Sequence, residues 1–451
     1  MDEDGTTNDL LAGKTGKEVQ QRLQALISEW LRMENLVVLT GAGTSVSSGG
    51  KTMDSLECAV LGTLKLLPDV PDSIIQIIDA RLAPVRSDET STKCGFEDWL
   101  SYIVSGHFIG SMKNSPFVGV QWRETTVAPT QVELSWFVES IRAAIFAECA
   151  LTLPDANDLE ASPTKIAPHL AFLAKLVVRD SNLGRAHLFT LNYDTLFEQA
   201  CELLGIQYFD GYSGRAFARF DPSVYGLDIY YPGEVSEGRV RRFDKFLHLY
   251  KLHGSIHWQI HGGELRARHP DLSRFNNYGN LELTMKAKRL ANISKHIKPI
   301  GILPTSNKLA QTLTMPFAHL FRAFQIRLSV PQTFLLVLGY GFGDDHVTQI
   351  LESALMNPSL VMLVVEPDPT SATIARVRQY RDLGKRVFVL TSLKAIHKSK
   401  PFRVATFDDF THSVMPDIQW LDDLLRLRRF EKQIQASNGS PLGAESKDLM
   451  E

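Results

Sequence analysis

Four short turns in this 451-residue chain carry residue types that could do chemistry, and each closes an apolar run. Gly41-Ala42-Gly43-Thr44-Ser45 follows Leu36–Leu39, and Asn192-Tyr193-Asp194 follows Ala186–Leu191. His253-Gly254-Ser255 follows Phe246–Leu252, and Gly339-Tyr340-Gly341-Phe342-Gly343 follows Thr333–Leu338. Glycines let backbone amides approach phosphate oxygens, and a helix beginning near Thr44 or beyond would add its positive end, so the first turn suits a diphosphate. A tight strand-to-helix turn with no ligand reads the same way, and no glycine stands three residues after Gly43, so this is not a dehydrogenase fingerprint.

Asn192 and Asp194 fit helix capping, or an amide and a carboxylate held in a crevice. His253 is the candidate general base, since an imidazole at a strand end titrates near neutrality; a purely structural histidine is the alternative. Glu366, at the end of the run Leu360–Val365, stands where an acid takes ribose hydroxyls, or is a solvated strand-end carboxylate. Asp344 or Asp345 reads as the cap of the next helix. His253, His257 and His261 recur every four residues, but the glycines at 254, 262 and 263 oppose a helix, and no cysteine or glutamate completes a zinc spacing; no metal is expected. The short basic runs at 239–242 and 426–429 lack interleaved aromatics, so sequence-specific nucleic-acid binding is not expected.

The elements that must position these turns alternate. Buried-strand runs at 36–39, 186–191, 246–252, 300–303, 333–338, 360–365 and 386–390 are separated by helical patterns at 194–204, 316–328, 344–356 and 370–383. That order predicts an α/β fold, a Rossmann-like doubly wound parallel sheet, whose ligand crevice lies at the carboxyl ends of its strands. The expected organisation is a polar N-terminus over 1–15 and a catalytic domain from 16–51 and 183–395. A mostly helical insertion over 52–182, with no sustained strand-like alternation, interrupts it. A helical extension over 396–431 and a tail over 432–451 end the chain.

Composition narrows the class. The chain is 44% apolar with a net charge of −3, which offers nucleic acid or an anionic membrane no global attraction. The four cysteines, Cys58, Cys94, Cys149 and Cys201, form no Cys-x-x-Cys pair, and the acidic start is unlike a signal peptide. A soluble, cytoplasmic protein is expected.

Taken in order, Gly41–Ser45, Thr190–Asp194, Leu252–Ser255 and Gly339–His346 resemble the sirtuin superfamily, and more closely its bacterial anti-phage branch of SIR-two-like domains. The resemblance covers roughly residues 30–395. It implies an NAD site in which Gly41, Ala42, Gly43, Thr44 and Ser45 cradle the phosphates. Asn192 and Asp194 flank the nicotinamide ribose, and His253 is the base. Gly339, Tyr340 and Gly341 lie near the adenosine half. Deacetylating sirtuins have a Pro-Asp-Phe-Arg segment where Gly49–Asp54 stands here, and a four-cysteine zinc ribbon that the cysteine spacing excludes. The branch that shares these departures hydrolyses NAD.

The resemblance thus implies an NAD hydrolase releasing nicotinamide and ADP-ribose, depleting NAD in abortive infection. A homo-oligomer and a HerA-type ATPase partner belong to the same expectation. Two other classes remain: a module that senses NAD or ADP-ribose without turnover, and a protein deacylase or ADP-ribosyltransferase.

Overall fold

The computed structural model describes residues 17–84, 94–153, 166–180, 182–214, 218–231, 242–261, 263–267, 278–293, 299–305, 308–392 and 405–417. Its strands are β1 (Asn35–Thr40), β2 (Val120–Trp122), β3 (Thr125–Val127), β4 (Ala186–Thr190), β5 (Gln207–Phe209), β6 (Tyr212–Ser213) and β7 (Arg219–Phe220). They continue as β8 (Phe246–Lys251), β9 (Gly254–His261), β10 (Glu264–Ala267), β11 (Pro299–Gly301), β12 (Thr333–Leu338), β13 (Val361–Glu366) and β14 (Val387–Thr391). The helices are α1 (Lys17–Leu31), α2 (Met53–Leu64), α3 (Asp72–Leu82), α4 (Phe96–Gly110), α5 (Gln131–Glu148), α6 (Pro168–Leu176) and α7 (Leu196–Leu204). After them come α8 (Leu283–Ile293), α9 (Leu309–Thr312), α10 (Phe317–Ser329), α11 (Asp345–Ala354), α12 (Ala372–Asp382) and α13 (Phe407–Asp409).

Seven strands form one sheet in the order β14-β13-β12-β1-β4-β8-β5, every pair parallel. The α/β, Rossmann-like expectation holds. Both faces are covered, which is why the central strands are continuous apolar runs rather than alternating ones. In β1, Leu36 and Val38 point into a core shared with α1, α6 and α7, while Val37 and Leu39 point into one shared with α10, α11 and α12. The chain builds outward from β1 through β4 and β8, then returns to lay β12 on β1's other side. The strand order therefore reverses at the β1–β12 seam, where such sheets open their crevice.

A third core joins α2, α3, α4 and α5, with Leu290 of α8 and Tyr278 beside them. The antiparallel hairpin β2–β3 lies in this mostly helical region; three residues per strand are too few to show a sustained period. α6, although within 52–182, packs with the sheet through Phe172, Leu173 and Leu176.

The run at 300–303 corrects the expected parallel set. Its strand, β11, belongs to a second, five-stranded sheet in the order β11-β9-β10-β7-β6, where it pairs antiparallel with β9. Short apolar runs do not reveal their partners, and pairing direction is set by chain reversal rather than composition. β5 is a further addition to the expected strands, a three-residue edge strand on β8. Residues 1–16 and 418–451, including the basic run at 426–429, lie outside the described residues, as do the linker at 154–165 and residues 239–241 of the other run. Of the expected C-terminal extension, α13 and a turn of π-helix over Phe410–Val414 are described, and their Phe407 and Phe410 join the sheet's core. No helix among the described residues is long and apolar enough to cross a membrane.

Candidate functional site

Strand register brings the four turns to one edge. Thr40 pairs with Thr190 and with Leu338, and Thr190 pairs with Lys251. The ladder runs one residue further, the amides of Leu191, Leu252 and Gly41 donating to the carbonyls of Thr40, Thr190 and Leu338. Asn192 and His253 thus leave neighbouring strands at the same level, two residues beyond a paired position. Leu338 pairs with Val365, which sets Gly339 and Glu366 side by side.

The two glycine turns touch at the seam. The Gly43 amide donates to the Gly339 carbonyl at 2.9 Å, and a Cβ on Gly43 would meet Gly339 Cα at 2.6 Å. Gly339 has φ +61°, and a Cβ there would lie 2.6 Å from the Thr44 nitrogen. These glycines are required because two backbones cross here, a reason that holds without any ligand. Gly339→Ala is expected to cost about 1–3 kcal/mol from overpacking, with the left-handed backbone penalty in addition. A thermal unfolding midpoint equal to the parent's would refute that.

The first turn comes before the helix expected at Thr44 or beyond. It is two short 3-10 turns, Ala42–Thr44 and Val46–Ser48, and α2 begins only at Met53. Its amides are spent internally: Thr44 donates to the Gly41 carbonyl and Ser45 to that of Ala42. Thr44 and Ser45 are buried, while Ala42 and Gly43 are exposed at the tip. No residue pattern signals this, because glycine permits a 3-10 turn and a helix N-terminus alike.

Asn192 pins that turn. Its Nδ2 donates toward the Gly41 carbonyl at 3.0 Å, Thr44 Oγ1 at 3.1 Å and Ser45 Oγ at 2.8 Å. Ser45 Oγ in turn donates to Asp194 Oδ2 at 2.6 Å, and Asp194 Oδ1 accepts the Leu196 amide at 3.2 Å. Asp194, one residue before the Thr195 N-cap of α7, therefore holds the first amide of that helix and steadies the glycine turn through Ser45. Beneath it, the buried Lys251 ammonium donates to the Asp194 carbonyl and pairs with Glu198 at 3.1 Å.

His253 begins the turn into β9. Gly254 must be glycine, since its φ is +94° and a Cβ would meet the Ile300 carbonyl at 2.6 Å where β11 crosses. The His253 carbonyl accepts the Ile302 amide at 2.9 Å, which fixes the backbone behind the ring. Its Nε2 lies 3.1 Å from Nε2 of His346, the second residue of α11. Burial pushes the His253 imidazole down to about 3, so it is neutral at physiological pH.

Asp344 does not cap α11 with its side chain. Its carboxylate accepts instead from the Lys308 ammonium, which also reaches Glu97 of α4 at 2.9 Å. Burial alone would raise Asp344, but His253 and Lys308 hold it below the usual carboxylate range. Burial would lower Lys308, and its two carboxylates more than reverse that. His253, Asp344 and His346 place ligand atoms within 4.8 Å of one another, a group that by type could hold a cation. The Lys308 ammonium already provides the positive charge beside Asp344, so the cluster fits an internal ion pair better than a metal ion. Lys308 and Glu97, far apart in sequence and in no motif, could not have been found beforehand. His346 closes the late turn's motif, and its position after Asp344-Asp345 was the available signal.

Tyr340 is buried, its hydroxyl donating to the Asp344 carbonyl at 3.1 Å, so it faces the core rather than the crevice. Gly341 is exposed, and a Cβ placed on it would find only Thr373 Oγ1, at 4.0 Å. Glu366 is partly exposed; it accepts the Asp368 amide at 3.0 Å, and burial raises its carboxyl. His257 lies on β9, where the four-residue histidine spacing has no helical meaning.

Residues 186–384 match the family model of the SIR2-like domain. That stretch is similar to a SIR2-like domain. This supports membership of the sirtuin superfamily and a sirtuin-type function related to NAD. No curated protein matches the chain. The SIR2-like match contains Asn192, Asp194, His253, Gly339 and Glu366 but starts after β1. The sheet nevertheless seats β1 between β4 and β12, both inside the match, so strand pairing brings Gly41–Ser45 to the edge where the matched turns lie.

Proposed function

We propose that this chain hydrolyses NAD, adding water across the nicotinamide–ribose bond to give nicotinamide, ADP-ribose and one proton. The supporting observation is the placement of Asn192 and His253 at one level on adjacent strands, beside the exposed Ala42–Gly43 tip at the seam where the strand order reverses. Nicotinamide leaves a cation-like ribose, and such a transition state needs positioning and electrostatic support more than a strong nucleophile. In this reading His253, held neutral by burial, takes a proton from the attacking water. Asn192 orients that water or a ribose hydroxyl through its side-chain oxygen, its nitrogen being committed to the glycine turn. Asp194 keeps the turn in place and contributes negative charge near the developing cation.

The open backbone at Gly341 and the half-buried Glu366 are the groups that would take the adenosine half, with Gly339 and Tyr340 shaping the turn beneath. Consumption of NAD in anti-phage defence, self-association and a HerA-type ATPase partner belong to the same proposal.

The test is incubation of the purified chain with NAD, with nicotinamide and ADP-ribose separated by chromatography. The parent is expected to release both, and His253→Ala to lose about 10²–10⁴-fold in rate, the usual worth of a general base. NAD binding without release, with or without the ATPase, would make the domain a sensing module instead.

A further inference from the structure

Residues 299–303 form a seam between the helical insertion and the catalytic edge. Ile302 is buried in the sheet's core and its neighbour Leu303 in the helical one. Arg142 of α5 donates to the Gly301 carbonyl at 3.0 Å, and the Ile302 amide donates to the His253 carbonyl at 2.9 Å. Lys308 follows, with a side chain 7% exposed, and its ammonium bridges Glu97 of α4 and Asp344 at the start of α11.

Without that ammonium the Asp344 carboxylate would act on the base. Asp344, His253 and His346 bring ligand atoms within 4.8 Å of one another, and an opposite charge at such range favours the protonated imidazole. Asp344 is the N-cap residue of α11 yet makes no capping bond with its side chain, which is turned to Lys308 instead. A base must be unprotonated to take a proton from water. His253 therefore stays available only while something other than its own ring balances Asp344.

We propose that Lys308 is a positioning residue of the site, a fixed counter-ion that keeps the Asp344 charge from drawing a proton onto His253, with Glu97 of the helical insertion holding it in place. This role rests on the hydrolase reading above, and Lys308 acts on the reaction through Asp344 and His253.

The other groups around His253 do not replace it. Burial holds the ring down, Asp344 works against burial, and Lys308 and His346 work with it. His346 of α11 is a second imidazole, itself kept below its ordinary value by burial, and α10 presents the Phe321 ring at 6.2 Å. Asp345 bears on His346 and would draw a proton in rather than keep one out. Tyr193, from the turn after β4, is kept protonated by burial and carries no charge. Among the described residues acting on His253, Lys308 is thus the cation at neutral pH.

The test compares kcat for NAD from about pH 5 to 8 in the parent, in Lys308→Gln, and in Lys308→Gln combined with Asp344→Asn. Circular dichroism checks the fold at each pH. Glutamine still donates to both carboxylates but carries no charge. With His253 at about 3, the parent's kcat should be flat across this range. In Lys308→Gln the histidine's acid limb should rise by about 2–3 pH units, so that kcat near pH ~5 falls about two- to tenfold below its value near pH ~8. Removing the Asp344 charge as well should return the double variant to a flat profile, which a merely structural bridge would not do. A folded Lys308→Gln with a flat profile, or a double variant that keeps the limb, would overturn the proposal. So would a Lys308→Gln that folds only when Asp344→Asn accompanies it, since Lys308 would then serve the fold alone.

NMR titration of the His253 ring in the same samples, its signal assigned by its loss in His253→Gln, separates this role from the reaction. The ring should stay neutral in the parent and the double variant and take up a proton in Lys308→Gln. A parent that binds NAD but releases no nicotinamide would overturn the hydrolase reading. The ring titration would still decide Lys308: an unchanged ring in Lys308→Gln would show that Lys308 is not its safeguard.

Discussion

On the proposed hydrolysis, Asn192→Ala is expected to lose NAD affinity and turnover together, whereas His253→Ala is expected to lose turnover alone. Three acceptors of the glycine turn face the Asn192 amide, and all are buried with it. Alanine removes that donor; the Gly41 carbonyl keeps Thr44 and Ser45 keeps Asp194, so each bond lost costs about 0.5–1.5 kcal/mol and the turn is free to move. A turn that moves is no longer registered against Gly339, and the exposed tip at Ala42–Gly43 changes position. Since each ~1.4 kcal/mol is a factor of ten in binding, the expected loss of NAD affinity is about tenfold or more. Titration calorimetry with NAD separates the two variants: parent-like affinity in Asn192→Ala would show that the amide does not govern the turn. Far-ultraviolet circular dichroism of the same samples checks that both remain folded.

Acid will destabilise the protein well before its carboxylates are protonated. Burial holds His169 and His248 at about 4 and His253 at about 3, and holds His187 well below its ordinary value. Unfolded, all four titrate near ~6.5. Between these limits the unfolded chain binds protons that the folded chain refuses, so stability is present above pH ~6.5 and falls as the pH drops. Each such histidine contributes a slope of up to about 1.4 kcal/mol per pH unit in that window. Glu198 and Glu366, raised by burial, act in the opposite direction above their unfolded value and moderate the slope.

His169 isolates the effect. Among the described residues neither of its ring nitrogens has a hydrogen-bond partner, and it is wedged between Phe197 at 4.9 Å and Phe407 at 5.1 Å. His169→Leu removes a buried polar ring that nothing satisfies, so it should be no less stable at about pH 7.5 and less sensitive to acid. Denaturant midpoints at about pH 7.5 and 5 decide the matter; equal midpoints in the parent would refute this account of its histidines.

The strands that are buried on both faces can be read from the amino acids without any fold. Leu36–Leu39, Phe246–Leu252 and Thr333–Leu338 are legible because a parallel strand covered by helices has no polar face, and the polar turn that ends each one marks the carboxyl edge. From that edge the candidate residues Asn192, Asp194 and His253 could be named, since a crevice at strand ends needs no knowledge of which strands are neighbours. Who the neighbours are emerges only when the chain is folded. Folding set Gly43 against Gly339 and turned Asn192 and Asp194 toward the glycine turn. It placed His346 on His253 and brought Lys308 and Glu97 to Asp344 from distant segments. Each of these is a contact between chain segments far apart in sequence, fixed by strand order and register. Local propensity carries no record of register, which is why the candidate residues could be named from the sequence and their partners could not.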